Sequence, residues 1–256
     1  MRCLFLLAVA VAASAASAAR AERMTVAIST PEVMINSNFT GAPITVFGVI
    51  ERDSGTPLPS AGTYQVAILI LGPNETVVER RKDRLLGVWA NRAGRTISQA
   101  PSLYVLNASA DIADIANPTV LQRLQIGFHN IGFAFDGRPP SLDPESGEFR
   151  DAFVRLKQQA GLYSEKADVS FIGDLIFRST SFLPANLPVG HYTVLAYLFS
   201  EGELIAHAQD KIDVSKTGFE GSMAAFARNQ SLLYGLICAS LAVFIGWAGG
   251  VIFRRD

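Results

Sequence analysis

The run from Leu232 to Phe253, within LLYGLICASLAVFIGWAGGVIF, constrains this chain more than any other feature. It holds no Asp, Glu, Lys or Arg, and charge returns at once beyond it in Arg254 and Arg255. At about 1.5 Å of rise per residue, a helix of this length matches the roughly 30 Å hydrocarbon core of a bilayer. A buried helix of a soluble protein is the competing reading, and the unbroken absence of charge argues against it. The segment 232–253 is expected to span a membrane.

The other end agrees. MRCLFLLAVAVAASAASAARA carries a basic Arg2, an apolar block from Leu4 to Ala13, and small residues ending Ala19-Arg20-Ala21. That is the form of a secretory signal with an A-x-A cleavage site, expected over residues 1–21. The apolar block is short for a spanning helix, so an uncleaved anchor is the lesser alternative. Export of everything after residue 21, followed by a stop at the terminal span, leaves Arg254 and Arg255 on the cytoplasmic face, as the positive-inside rule asks. The expected organisation is an exported β-rich domain over 22–215, as one unit or two with a helical and loop insert near 110–165, then a juxtamembrane segment 216–231, the span 232–253 and a tail 254–256.

Composition narrows the function classes. With 22 Lys and Arg against 23 Asp and Glu, the chain has no basic excess to hold nucleic acid. Its two cysteines are Cys3 in the export signal and Cys238 in the span, so a disulfide cannot staple the domain between them and an ordinary hydrophobic core must hold it.

Strand patterns open that domain. Val26 and Ile28 alternate in MTVAIST, and ITVFGVI sets Ile44, Val46, Gly48 and Ile50 against Thr45, Phe47 and Val49. YQVAILIL, Tyr64 to Leu71, is apolar on both faces and predicts a strand between two layers. Asn36-Ser37-Asn38, Asp53-Ser54-Gly55 and Gly72-Pro73-Asn74 supply turns, and shorter strands are expected at 76–79 and 103–107. Asn117-Pro118 predicts a helix start, and Phe149, Phe153, Leu156 and Ala160 predict a second helix over 149–160 that Gly161 ends. Between them GFHNIGFAFDGRPPSLDPESG reads as a long surface loop. Strands return over 169–177, 192–199 and 204–214, and LPANLPVGHY before the second of these suggests a tyrosine corner at Tyr192. The fold class is therefore mainly β, an immunoglobulin-like sandwich or sandwiches with inserted short helices, plus one C-terminal transmembrane helix. Phe219, Met223 and Phe226 would share one face of a juxtamembrane helix.

Catalytic, metal and cofactor motifs are absent from the sequence. His129, His191 and His207 stand far apart, none with a partner at metal-ligand spacing, and there is no G-x-S-x-G and no G-x-x-x-x-G-K-[ST]. The densest charge, ERRKDR from Glu79 to Arg84, reads as a solvated strand end before an anion contact. Trp89 and Arg92 have the composition of an interface anchor, although a core tryptophan is the plainer fate for Trp89. In the span, Gly235, Ala239, Ala242, Gly246 and Gly250 recur at steps of three and four and so share one helix face, with Gly246 and Gly250 forming a G-x-x-x-G. Such a face lets a second helix approach closely inside lipid.

The segments INSNFTGAPITVFGVIERD, LLGVWANRAGR, LQRLQIGF, FRDAFVRLKQQAGLY, LPANLPVGHY, KTGFE and LLYGL, with the terminal FRRD, together resemble the Alph_Pro_TM family of alphaproteobacterial transmembrane proteins. The likeness runs from about residue 22 to residue 256; Ala90 stands where valine is more usual. It implies an inner-membrane protein with its main domain in the periplasm, and carries over no catalytic residues. Family members are often encoded beside permeases of the sulfite-exporter type, which implies an accessory role in transport. The expected function is thus a non-enzymatic, single-pass accessory or interaction subunit, bound to lipid and to a membrane-protein partner or a second copy of itself. The alternatives are a periplasmic envelope enzyme and a small-ligand or adhesion module.

Overall fold

The alternation in ITVFGVI is realised residue by residue. In a computed structural model that describes residues 22–52, 64–85, 88–138, 144–218, 223 and 226–252, strand β3 (Gly41–Glu51) buries Ile44, Val46, Gly48 and Ile50 and exposes Phe47 and Val49. It lies between β1 (Arg23–Ile28) and a later strand, β11 (Ile176–Pro184), in a four-stranded antiparallel sheet closed by β10 (Val169–Ile172). The expected export signal and the arginines Arg254 and Arg255 lie outside the described residues.

A second sheet of six strands faces the first. Its order is β2 (Glu32–Ile35), β13 (Glu203–Lys216), β12 (Gly190–Ser200), β4 (Tyr64–Leu71), β7 (Tyr104–Ala108) and β9 (Tyr163–Lys166). Its two outer pairings, β2 with β13 and β7 with β9, are parallel, and the pairings between them are antiparallel. β4 sits at the centre, so both its faces are covered and its run needs no polar face. Val66, Ile68 and Ile70 alternate with Ala67 and Leu69, and all five are buried. The first set shares a face with Val194, Ala196 and Leu198 of β12, by the register that sets Ile70 opposite Val194. This face meets the first sheet, as one side-chain bridge records: Asn107 Nδ2 of β7 donates to Ser179 Oγ at 2.6 Å and Ser181 Oγ at 2.8 Å of β11. All three residues are buried, so the bridge satisfies polar atoms that would otherwise be costly between sheets.

The insert packs on the other face of the second sheet. Helices α1 (Ile112–Ile115), α2 (Pro118–Arg123) and α3 (Pro144–Gln159) and a 3₁₀ turn at Phe128–Asn130 contribute Ile115, Val120, Leu121 and Phe153 to the same hydrophobic cluster as the sandwich. Aromatic edges tie it down: Phe133 and Phe153 meet at 5.2 Å between ring centroids, and Phe153 and Tyr163 at 5.9 Å.

Several local expectations are corrected. Residues 127–147 are not a surface loop throughout, because Ile131, Phe133 and Phe135 are buried and β8 (Ala134–Phe135) pairs with a strand. That strand, β6 (Val88–Pro101), forms a long hairpin with β5 (Asn74–Leu85), extending the short strand expected at 76–79 and adding a partner that was not anticipated. Residues 169–177 are not one strand but the turn of a hairpin, with Gly173 at φ 73° between β10 and β11. α3 begins before residue 149, and its buried pair is Phe153 and Val154, while Leu156 is 55% exposed. Asn117 precedes α2 but makes no side-chain cap; its Nδ2 donates instead to Glu203 Oε1 at 2.7 Å. Gly161 does end α3, at φ 72°.

Candidate functional site

The terminal run forms α4 (Ser231–Ile252), and none of its apolar window is buried against the other described residues. Gly235, Ala239, Ala242, Gly246 and Gly250 are all exposed, and a Cβ placed on Gly235, Gly246 or Gly250 would meet nothing within 4 Å. The face that they share is therefore open in the isolated chain. Helical backbone bonds lead into it from the juxtamembrane side, Gln230 N–H to Phe226 O and Tyr234 N–H to Gln230 O, each at 2.9 Å. Phe226 and Tyr234 meet edge to face at 6.0 Å. Phe219 lies outside the described residues.

Among the described residues, the three histidines do not converge on this face or on one another. Trp89 and Arg92 lie on β6, with their side chains outside the described residues. The charged run from Glu79 fills the second half of β5 and reaches Arg84, next to the last residue of the strand, Leu85. Glu79 is partly buried there, opposite α3 across a cavity of about 340 Å3 that Arg155 also lines. Burial raises the Glu79 carboxyl above its ordinary range, and Arg155 opposes the rise. His129, His191 and His207 are exposed and separate; His191 pairs with Asp213 across β12 and β13. Among the described residues no group of three His, Cys, Asp or Glu is placed to hold a metal.

Tyr192 is a tyrosine corner. Its ring is fully buried at the start of β12, and its hydroxyl donates to Pro188 O at 2.6 Å, four residues back. Burial pushes its pKa up to about 12, so the proton stays in place to make that bond.

Sequence reasoning did not find a cavity of about 440 Å3 on the insert-covered face of the second sheet. Its apolar lining includes Leu69 and Leu71 from β4 and Leu195 from β12. Tyr104 also lines it and fixes its wall: the Tyr104 hydroxyl donates to Gln125 O and accepts from Gly127 N–H, both at 2.9 Å. Burial raises the Tyr104 pKa well above that of a free phenol. Its polar lining includes Asn74, Ser98, Gln99, Arg123, Gln125 and Tyr197, and no carboxylate lines it among the described residues. Gln99 and Gln125 have left-handed backbones, at φ 59° and φ 54°, a conformation that costs a side-chain-bearing residue on the order of 1 kcal/mol. The only signal available in the sequence was turn chemistry, and glutamine gives none.

A mainly β body carrying one C-terminal helix long and apolar enough to cross a bilayer defines a class, the membrane-anchored β-proteins. Within it the chain belongs to the family described as "Putative transmembrane protein (Alph_Pro_TM)", which it matches over residues 23–255. No curated protein matches it.

Proposed function

We propose that this is a single-pass protein of the bacterial inner membrane, its β-sandwich in the periplasm, acting without catalysis as an accessory subunit of a membrane complex. The observation that carries this reading is the open small-residue face of α4, which none of the described residues of the chain's own body covers. Helices in lipid associate through close van der Waals packing, because lipid tails are as apolar as leucine and offer no hydrophobic drive. Gly235, Ala239, Ala242, Gly246 and Gly250 supply the shallow surface that such packing needs. The occupant is a helix of a multi-span partner, for which the family resemblance suggests a permease of the sulfite-exporter type, or a second copy of this span.

In-membrane crosslinking followed by purification tests this. Gly246→Ile together with Gly250→Ile fills the face with branched side chains and should abolish the crosslinked species while leaving membrane insertion unchanged. Undiminished crosslinking would refute the packed-span reading. Protease added to intact spheroplasts should digest the sandwich; protection there, with digestion in inverted vesicles, would refute the orientation.

A further inference from the structure

Gln99 and Gln125 occupy backbone positions that normally go to glycine, and both line the cavity over β4 and β12. The chain itself provides the comparison. Helix α3 closes with Leu162 N–H donating to Lys157 O and Gly161 N–H to Gln158 O, both at 2.9 Å, around a glycine at φ 72°. Helix α2 closes with the same pair of bonds, Ile126 N–H to Leu121 O at 2.9 Å and Gln125 N–H to Gln122 O at 3.2 Å. The left-handed residue of this motif is usually glycine, and α2 uses a glutamine. The second case is a bulge: β6 sets Ser98 and Gln99 against the single residue Thr76 of β5, and Gln99 takes the left-handed conformation that glycine most readily supplies in bulges.

Closing a helix and bulging a strand require no carboxamide, and glycine would do both with less strain. Neither glutamine side chain has a hydrogen-bond partner among the described residues, and both are exposed at the cavity. Strain kept at two unrelated backbone positions on one cavity points to a ligand that uses the side chains. The charge narrows its class. Arg123, the last residue of α2, lines the same cavity without an ion-pair partner among the described residues, and no carboxylate there offsets it. Beside these three groups the lining has an apolar part from Leu69, Leu71 and Leu195, with further polar atoms from Asn74, Ser98, Tyr104 and Tyr197.

We propose that this cavity binds a small organic carboxylate. Arg123 pairs with the carboxylate at the rim, Gln99 and Gln125 donate N–H groups to its oxygens, and the apolar body of the ligand lies over the leucines. About 440 Å3 is within the usual range of small-molecule sites. The site is separate from the face of α4 and stands whether or not that face has a partner.

The test uses the full-length protein in nanodiscs, with benzoate as the probe and benzamide as its neutral counterpart, read by saturation-transfer NMR against empty nanodiscs. Saturable benzoate binding is expected, with benzamide weaker by about tenfold or more and the preference lost in Arg123→Gln. Gln99→Gly and Gln125→Gly provide the decisive arm. Each should melt no lower than the parent, since glycine relieves a left-handed backbone, yet each should weaken benzoate by several-fold. No saturable benzoate binding, or binding that both glycine variants retain at parental strength, would overturn the proposal.

Discussion

Gly48→Ala looks like a mild change and should be a severe one. Gly48 is buried on β3, directly opposite Phe177 of β11, and its backbone is ordinary strand, so alanine meets no conformational objection. On propensity alone, replacing a strand glycine with alanine stabilises by roughly 0.5–1 kcal/mol. Space decides otherwise. A Cβ on Gly48 would stand 2.0 Å from Phe177 Cζ and 2.5 Å from both its Cε atoms, because the ring lies flat over the glycine. Phe177 is 0% exposed and edges against Phe171 at 6.2 Å between centroids, so it has little room to move aside. Overpacking of this kind costs about 1–3 kcal/mol, and expulsion of the ring would approach the roughly 3–5 kcal/mol of deleting a core phenylalanine. A net loss of about 2 kcal/mol corresponds to a fall in Tm of about 4–8 °C for a body of this size. Thermal unfolding of the full-length protein in detergent, followed by far-ultraviolet circular dichroism, reads the shift. The double variant Gly48→Ala, Phe177→Leu should recover part of it, since leucine vacates the space above the new methyl. A Tm for Gly48→Ala within 1 °C of the parent would refute the packing argument.

Tyr192→Phe removes the bond to Pro188 O and should cost about 1–2 kcal/mol by the same assay. Because the folded Tyr192 and Tyr64 pKa values are raised from 10.0 to about 12, their contribution is complete below pH 10 and is lost as pH rises from 10 to 12. Alkaline melting curves should therefore be less steep with pH in Tyr192→Phe than in the parent. At the acid end, Asp136 is held below the usual carboxylate range, first by the Thr96 N–H donating to its Oδ1 at 2.9 Å and then by Arg95. Its contribution is present above an ordinary pKa of about 3.9 and is lost as pH falls further. Protection of the Thr96 amide, its exchange relative to an unstructured peptide at the same pH, should fall below that point in the parent, and Asp136→Asn should remove that fall.

What was legible in the sequence was whatever a local period or a turn residue dictates. β3 shows its faces because one is wet and one dry, β4 shows its central place because neither is wet, and Tyr192 announces its corner through the Pro-Val-Gly before it. The charge-free run declares α4. The β5–β6 hairpin was obscured by ERRKDR and by Gly94, which break up the apolar alternation that marks a strand. β2 and β9 are four-residue edge strands, and their pairing is set by partners far along the chain, Val214 for Val33 and Leu106 for Glu165. In α3 helical spacing favoured Leu156, yet the covering layer meets Phe153 and Val154, a choice made by where the helix lands and not by its own period. The cavity escaped for a related reason: its strain belongs to closures and bulges that exist only once α2 and β6 have formed.

β13, from which the chain continues towards α4, is gripped on both flanks, antiparallel by β12 along most of its length and parallel by β2 over its last four residues, Asp213 to Lys216. A pull applied along this strand from its C-terminal end meets both partners. It therefore loads the rungs of two ladders together in shear instead of peeling them apart one by one, with the side near the lipid reinforced by the extra strand. The sandwich is thus double-laced at its root, at the end of β13 from which the chain runs on to the apolar helix.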